Sequence, residues 1–207
     1  LLNKFIGDKL GTKYICNKII DNKIKNKSIK RFSEVINVNP QRQIKRGSIV
    51  KCVTMADLAE WNPKISSWEE RKFIGSGSKF KNGDTIFARI TPCLENGKTA
   101  YVDILNNEET AWGSTEFIVF SGKPNVSNNE FVYYVAITPF IRKMAIDWMI
   151  GTSGRQRVPN KVFDKIYFDI PSMNEQKTIV NKLKVIDNQI NEYSNYKNKL
   201  VRLRNKL

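Results

Sequence analysis

A chain of 207 residues with 35 Lys+Arg against 20 Asp+Glu carries a formal charge of +15, and its 41% hydrophobic content is enough for a core without disulfides or metals. It contains no histidine, which excludes Ser-His-Asp and Cys-His nucleophile systems and any imidazole metal site. Cys16, Cys52 and Cys93 are widely spaced with no C-x-x-C, and no apolar stretch is long enough to span a bilayer, so the expectation is a soluble cytoplasmic protein.

The excess of positive charge favours a polyanionic partner, DNA or RNA, although a composition rich in Lys, Asn and Ile is itself a source of basicity. Residues 1–30 read as a lead-in with helical spacing at Ile15, Ile19, Ile20 and Ile24. Phe32 to Val38 alternates like a short strand closed by Asn39-Pro40, and Ile49 to Val53 is a second strand. Met55 to Trp61 is expected as a short helix, and 62–83 as a long polar connection. Gly83-Asp84 turns into a strand at Thr85 to Ile90. Asn96-Gly97 then predicts a hairpin into Lys98 to Ile104, and Thr115 to Phe120 adds another strand. Residues 130–149 read as helix interrupted near Thr138-Pro139, before a Gly-punctuated basic loop at Gly151 to Pro159 and a last strand at Lys165 to Ile170.

The end of the chain differs in kind. Ser172 and Glu175 form a capping box, and no Gly or Pro follows. Ile179, Leu183, Ile186, Ile190, Tyr193, Leu200 and Leu207 fall on one narrow seam, broken by Lys197 and Arg204. Such a stripe suits a coiled-coil partner, and a terminal helix packed on its own domain is the alternative. The expected fold is α+β: a mixed globular domain over 1–170, then a long helix over 171–207.

Catalytic constellations are weak. Asn39-Pro40 and Asn62-Pro63 lack the aromatic that would stack on a flipped base, and Gly75-Ser76-Gly77-Ser78 opens no helix. Glu95 with Lys98, or Asp84 with Glu95, gives at best a thin nuclease pattern. DNA binding fares better. Arg71, Lys72, Lys79 and Lys81, then Arg89, Thr91 and Lys98, then Ser153, Arg155, Gln156 and Arg157 place guanidinium, amide and hydroxyl groups on polar loops. Arg can grip guanine bidentately, Gln can pair with adenine, and Lys and Ser can hold phosphates.

Four stretches in order, GDTIFARITPCLENGK (83–98), GSTEFIV (113–119), GTSGRQRVP (151–159) and IPSMNEQKTIVNK (170–182), resemble the specificity subunits of type I restriction-modification enzymes. The resemblance implies a target-recognition domain reading half of a split DNA site, and a helix that sets spacing and docks methyltransferase subunits. S-adenosylmethionine would sit on those partners, and ATP and Mg on separate restriction subunits, so this chain is expected to be non-catalytic. Full subunits carry two recognition domains and two helices, which implies either a half-subunit dimerising through 172–207 or a piece of a longer protein. The rival readings are a stand-alone nuclease or nickase, and a nucleic-acid-binding regulator with a helical oligomerisation tail.

Overall fold

The computed structural model describes residues 29–106 and 108–204. The expected helical lead-in therefore lies almost wholly outside the described residues, as does Leu207 at the end of the seam. The fold is α+β, with two four-stranded sheets, a helical layer and a long C-terminal helix.

The central sheet is wholly antiparallel, with order β2 (Ile36–Val38), β9 (Phe117–Gly122), β6 (Thr85–Ala88), β7 (Thr99–Tyr101). Alternation along its strands points successive side chains to opposite faces. Ile86, Phe117 and Val119 join a cluster with Val53, Phe80, Ala100 and Ala111 toward the second sheet. Phe87, Ile118 and Phe120 join Phe32, Phe131, Ile141 and Phe163 on the other side. Both faces are covered, which is why TIFA and FIVFS read as continuous buried runs.

The second sheet has order β4 (Glu69–Lys72), β3 (Ile49–Val53), β8 (Ala111–Gly113), β5 (Ser78–Phe80), with β3 and β8 parallel. A two-stranded pair, β1 (Ile29–Arg31) with β10 (Tyr167–Asp169), closes the body.

Several sequence expectations need correction. Phe32 to Val38 is not one strand: α1 (Phe32–Val35) precedes β2, because Glu34 accepts the Arg31 N–H at 2.8 Å and the i, i+3 pair Phe32 and Val35 is buried. Met55 to Trp61 holds only a single 3-10 turn, Met55–Asp57, capped by Thr54. The supposed connection 62–83 contains β4 and β5. Every residue of β4 is exposed, so it gave no apolar alternation, and its Glu/Lys content suits an edge strand. Asn96-Gly97 does not make a two-residue hairpin. Residues 89–98 form a helix-like knot between β6 and β7 instead, with Leu94 N–H bonded to Ile90 C=O and Lys98 N–H to Cys93 C=O.

Helices α2 (Asn129–Ala136) and α3 (Pro139–Asp147) break where expected, with Asn128 and Thr138 as their N-caps. Helix α4 (Met173–Arg204) runs 32 residues, about 48 Å at 1.5 Å per residue. Glu175 supplies one arm of the expected capping box, its carboxylate accepting the Ser172 N–H at 3.0 Å and the Ser172 hydroxyl at 2.6 Å. The packed-helix alternative holds for the first half of the seam, and the second half is left uncovered by the chain's own body. Ile179 and Leu183 are buried on the helix's own body, Ile186 and Ile190 are half-buried, and Tyr193 and Leu200 are 58% and 47% exposed. Buried Gln176 fixes the root: its amide donates to Val126 and Pro171 carbonyls at 2.9 Å and accepts the Asn128 N–H at 2.8 Å. Burial pushes the Asp187 carboxyl up, against the lowering effect of the Tyr134 hydroxyl bonded to it at 2.8 Å.

Candidate nucleic-acid interface

The basic residues singled out in the sequence fall into three places. The first is a junction where three separated stretches meet. Arg89 N–H bonds to the Glu116 carbonyl at 3.0 Å, Val158 N–H to the Arg89 carbonyl at 2.9 Å, and Thr91 N–H to the Gln156 carbonyl at 3.0 Å. Ile150 and Arg157 exchange two backbone bonds at 3.0 and 2.9 Å. That bridge closes a narrow loop whose tip, Gly151 to Arg155 with Ser153 at its middle, is fully exposed. Gly151 and Gly154 adopt positive φ of 122° and 76°, a region side chains disfavour, so the tip is built for glycine.

Arg157 donates Nε to both Glu116 carboxylate oxygens, at 2.8 and 3.0 Å, and Nη1 to the Arg155 carbonyl at 3.1 Å. Burial is the main influence on Arg89, pushing its pKa down; Glu116 raises it and Arg157 lowers it further. The Arg89 Nε is buried without a hydrogen-bond partner. Thr91 Oγ1 bonds to Glu95 at 2.6 Å.

The second place is the outer sheet. Arg71 and Lys72 lie on edge strand β4, with Arg71 paired to Glu69, and Lys79 on the opposite edge strand β5, over the Phe73 ring at 5.2 Å. Lys81 follows β5 and pairs with Glu108 at 3.2 Å. The third is Lys98, whose ammonium is held by the Met55 carbonyl at 2.8 Å as a brace beneath the knot. The structure thus joins Arg89, Thr91, Gln156 and Arg157 through one backbone network, with Arg155 bonded to the Arg157 side chain and Ser153 on the loop they close, and sets Arg71, Lys72, Lys79, Lys81 and Lys98 apart from it.

Sequence reasoning missed the groups that organise this junction. Glu116 lay within the quoted GSTEFIV stretch but had no visible partner 41 positions away. Arg142 on α3 is 3% exposed and donates to the Leu94 carbonyl at 2.5 Å and Thr99 Oγ1 at 3.3 Å, from beneath the Trp61 ring at 4.8 Å. Gly97, at φ +76°, lies so close to that ring that a Cβ would overlap it. Asp84, considered as a nuclease carboxylate, is committed to Arg42 at 2.9 Å and the Lys81 N–H at 2.8 Å. Among the described residues no group of three or more Cys, Asp or Glu is placed to hold a metal ion, and no helix is long and apolar enough to cross a membrane.

The model of the type I restriction modification DNA specificity domain matches residues 62–202. The chain belongs to that family. All four quoted stretches fall inside the match. Among curated relatives, the specificity subunit of the type I restriction enzyme EcoAI from Escherichia coli is 31% identical over 154 residues, 61% of this chain and 26% of that protein. The EcoEI specificity subunit, also from Escherichia coli, is 27% identical over 172 residues, 79% of this chain and 28% of that protein. The chain therefore spans about a quarter of the length of these relatives. Two solved structures share the fold of this specificity-domain chain: the HsdS subunit from Thermoanaerobacter tengcongensis and the S subunit from M. genitalium. The first has TM-score 0.65 at 22% identity over 86% of this chain and 44% of its own. The second has TM-score 0.52 at 13% identity over 99% of this chain and 56% of its own.

Proposed function

We propose that this chain is one target-reading unit of a type I restriction-modification specificity subunit, non-catalytic, directing methyltransferase and restriction subunits to one part of a split DNA site. The observation that carries this is the junction: three separated stretches converge to present Arg89, Arg155, Gln156 and Arg157 beside an exposed glycine-flanked tip, on a chain of net charge +15. Guanidinium and amide groups on a rigid support are what base-edge reading needs, and the lysines of the outer sheet suit phosphates. S-adenosylmethionine, ATP and Mg belong in this reading to the partner subunits.

The test starts from a random duplex library enriched on the purified chain. Arg155→Ala and Arg157→Ala should each weaken binding to the enriched duplex by roughly tenfold or more, with unchanged far-UV circular dichroism. Parental affinity in both variants would remove the loop from the interface.

The uncovered half of α4 supplies the second part of the reading, that two units pair. Tyr193, Tyr196, Leu200 and Leu203 stand exposed on it. Tyr193→Glu combined with Leu200→Glu in the full chain should turn a dimer into a monomer by light scattering, because neither side chain supports the body. A parental chain that is already monomeric would assign this stripe to another subunit. Cutting the chain after Ser172 would be a poor substitute, since it removes buried Ile179, Val180 and Leu183.

A further inference from the structure

Specificity is a difference between two affinities, and a chain this basic has more trouble avoiding random DNA than binding it. Each exposed cation that settles on a phosphate adds affinity for every sequence alike. At the junction one cation is withheld. Glu116 grips Arg157 through both carboxylate oxygens, at 2.8 and 3.0 Å, with side chains 23% and 45% exposed.

Glu116 is itself fixed from both sides. Its N–H bonds to Ser114 Oγ at 3.1 Å, and its carbonyl accepts the Arg89 N–H at 3.0 Å. Ser114 N–H in turn bonds to the Val53 carbonyl at 3.2 Å, tying the turn to the outer sheet. The backbone that carries the carboxylate is thus held in place by the scaffold, while Arg157 sits on the closing bridge of the exposed loop.

A carboxylate offers a guanidinium two coplanar acceptors, as guanine does with O6 and N7, and here both oxygens share the single Arg157 Nε–H. Leaving Glu116 strands its carboxylate beside the DNA, so Arg157 exchanges partners only where a competing acceptor is fixed within its reach. We propose that Glu116 is a specificity-determining residue that keeps Arg157 neutralised toward random DNA and releases it only to a correctly placed acceptor pair. The proposal rests on the DNA-reading function proposed above.

The test measures binding of the full chain to a random-sequence duplex across a salt series. Glu116→Gln removes the charge and keeps the shape. It should bind random duplex about threefold to tenfold more tightly at low salt, with a log–log salt slope steeper by about 0.9, one additional phosphate contact. A purely structural Glu116 would give the reverse, weaker binding together with a lower melting temperature. Glu116→Gln combined with Arg157→Gln keeps the parental net charge and should return affinity and slope to parental values.

Unchanged or weaker random-duplex binding by folded Glu116→Gln overturns the proposal and leaves the DNA-reading function standing. So does a double variant whose slope is shallower by about 0.9, because Arg157 would then already contact phosphates in the parent; this second measurement decides the matter even where the single variant does not fold. A folded parent with no affinity for any duplex removes the DNA-reading function and the proposal with it.

Discussion

Phe120→Ala is expected to cost about 3–5 kcal/mol of folding stability, a large share of the roughly 5–15 kcal/mol typical of a folded domain. Phe120 is fully buried, and its ring centroid lies 4.9 Å from that of Phe163, 5.3 Å from Phe32 and 5.4 Å from Phe87. These rings come from a central strand, α1, a neighbouring strand and the 3-10 turn Asn160–Lys165, so truncation opens a void bordered by four elements. Edge-on contacts between such rings add about 0.5–1.5 kcal/mol each beyond area burial. In a chain of this size the midpoint should fall by roughly 6–20 °C, at about 2–4 °C per kcal/mol. Thermal unfolding followed by circular dichroism measures it. A loss under about 1 kcal/mol would mean that the surrounding rings collapse into the gap and that the cluster is not rigidly packed.

Arg142 gives the second large effect, with a sharper control. Its guanidinium lies beneath the knot 89–98, bonded to the Leu94 carbonyl and Thr99 Oγ1 and faced by the Trp61 and Phe87 rings at 4.8 and 5.6 Å. Burial outweighs the favourable influence of Tyr133 and Glu95 and pushes its pKa down to about 10. Arg142→Ala removes one of the two donors on the Leu94 carbonyl, which keeps the Gly97 N–H at 3.0 Å, removes the donor on Thr99 Oγ1 and leaves an unfilled volume, for a loss of about 3–4 kcal/mol. Arg142→Met refills most of that volume and escapes the cost of burying a charge, so it should lose only about 1–2 kcal/mol. Denaturant midpoints at constant slope report the difference. Equal losses in the two variants would show that the hydrogen bonds, rather than the filled space, hold the knot.

The parts of the fold legible in the sequence were those whose signal is local. Ile49 to Val53 and Thr85 to Ala88 carry strand composition, Thr138-Pro139 breaks a helix, and Ser172 with Glu175 starts one. Strand β4 left no trace, because an exposed edge strand made of Glu, Glu, Arg and Lys owes its conformation to backbone bonds with β3. The seam of α4 was visible as a period, but periodicity is blind to where the body stops covering it. The candidate interface divides in the same way. Arg155, Gln156 and Arg157 could be picked out as basic and amide groups following two closely spaced glycines. Glu116, Trp61 and Arg142 could not, because a charge or ring acquires its role from a partner that only the tertiary fold supplies.

The β1–β10 pair has a consequence for how such chains can be built. Ile29 lies opposite Asp169 and Arg31 opposite Tyr167, so the path into the body and the path out toward α4 run side by side, one strand spacing of about 4.8 Å apart. Everything between, including the junction and both sheets, hangs from a single narrow doorway. A longer polypeptide can carry such a body by its two adjacent ends, and the direction in which the helix leaves is set where Gln176, Ile179 and Leu183 pack on it.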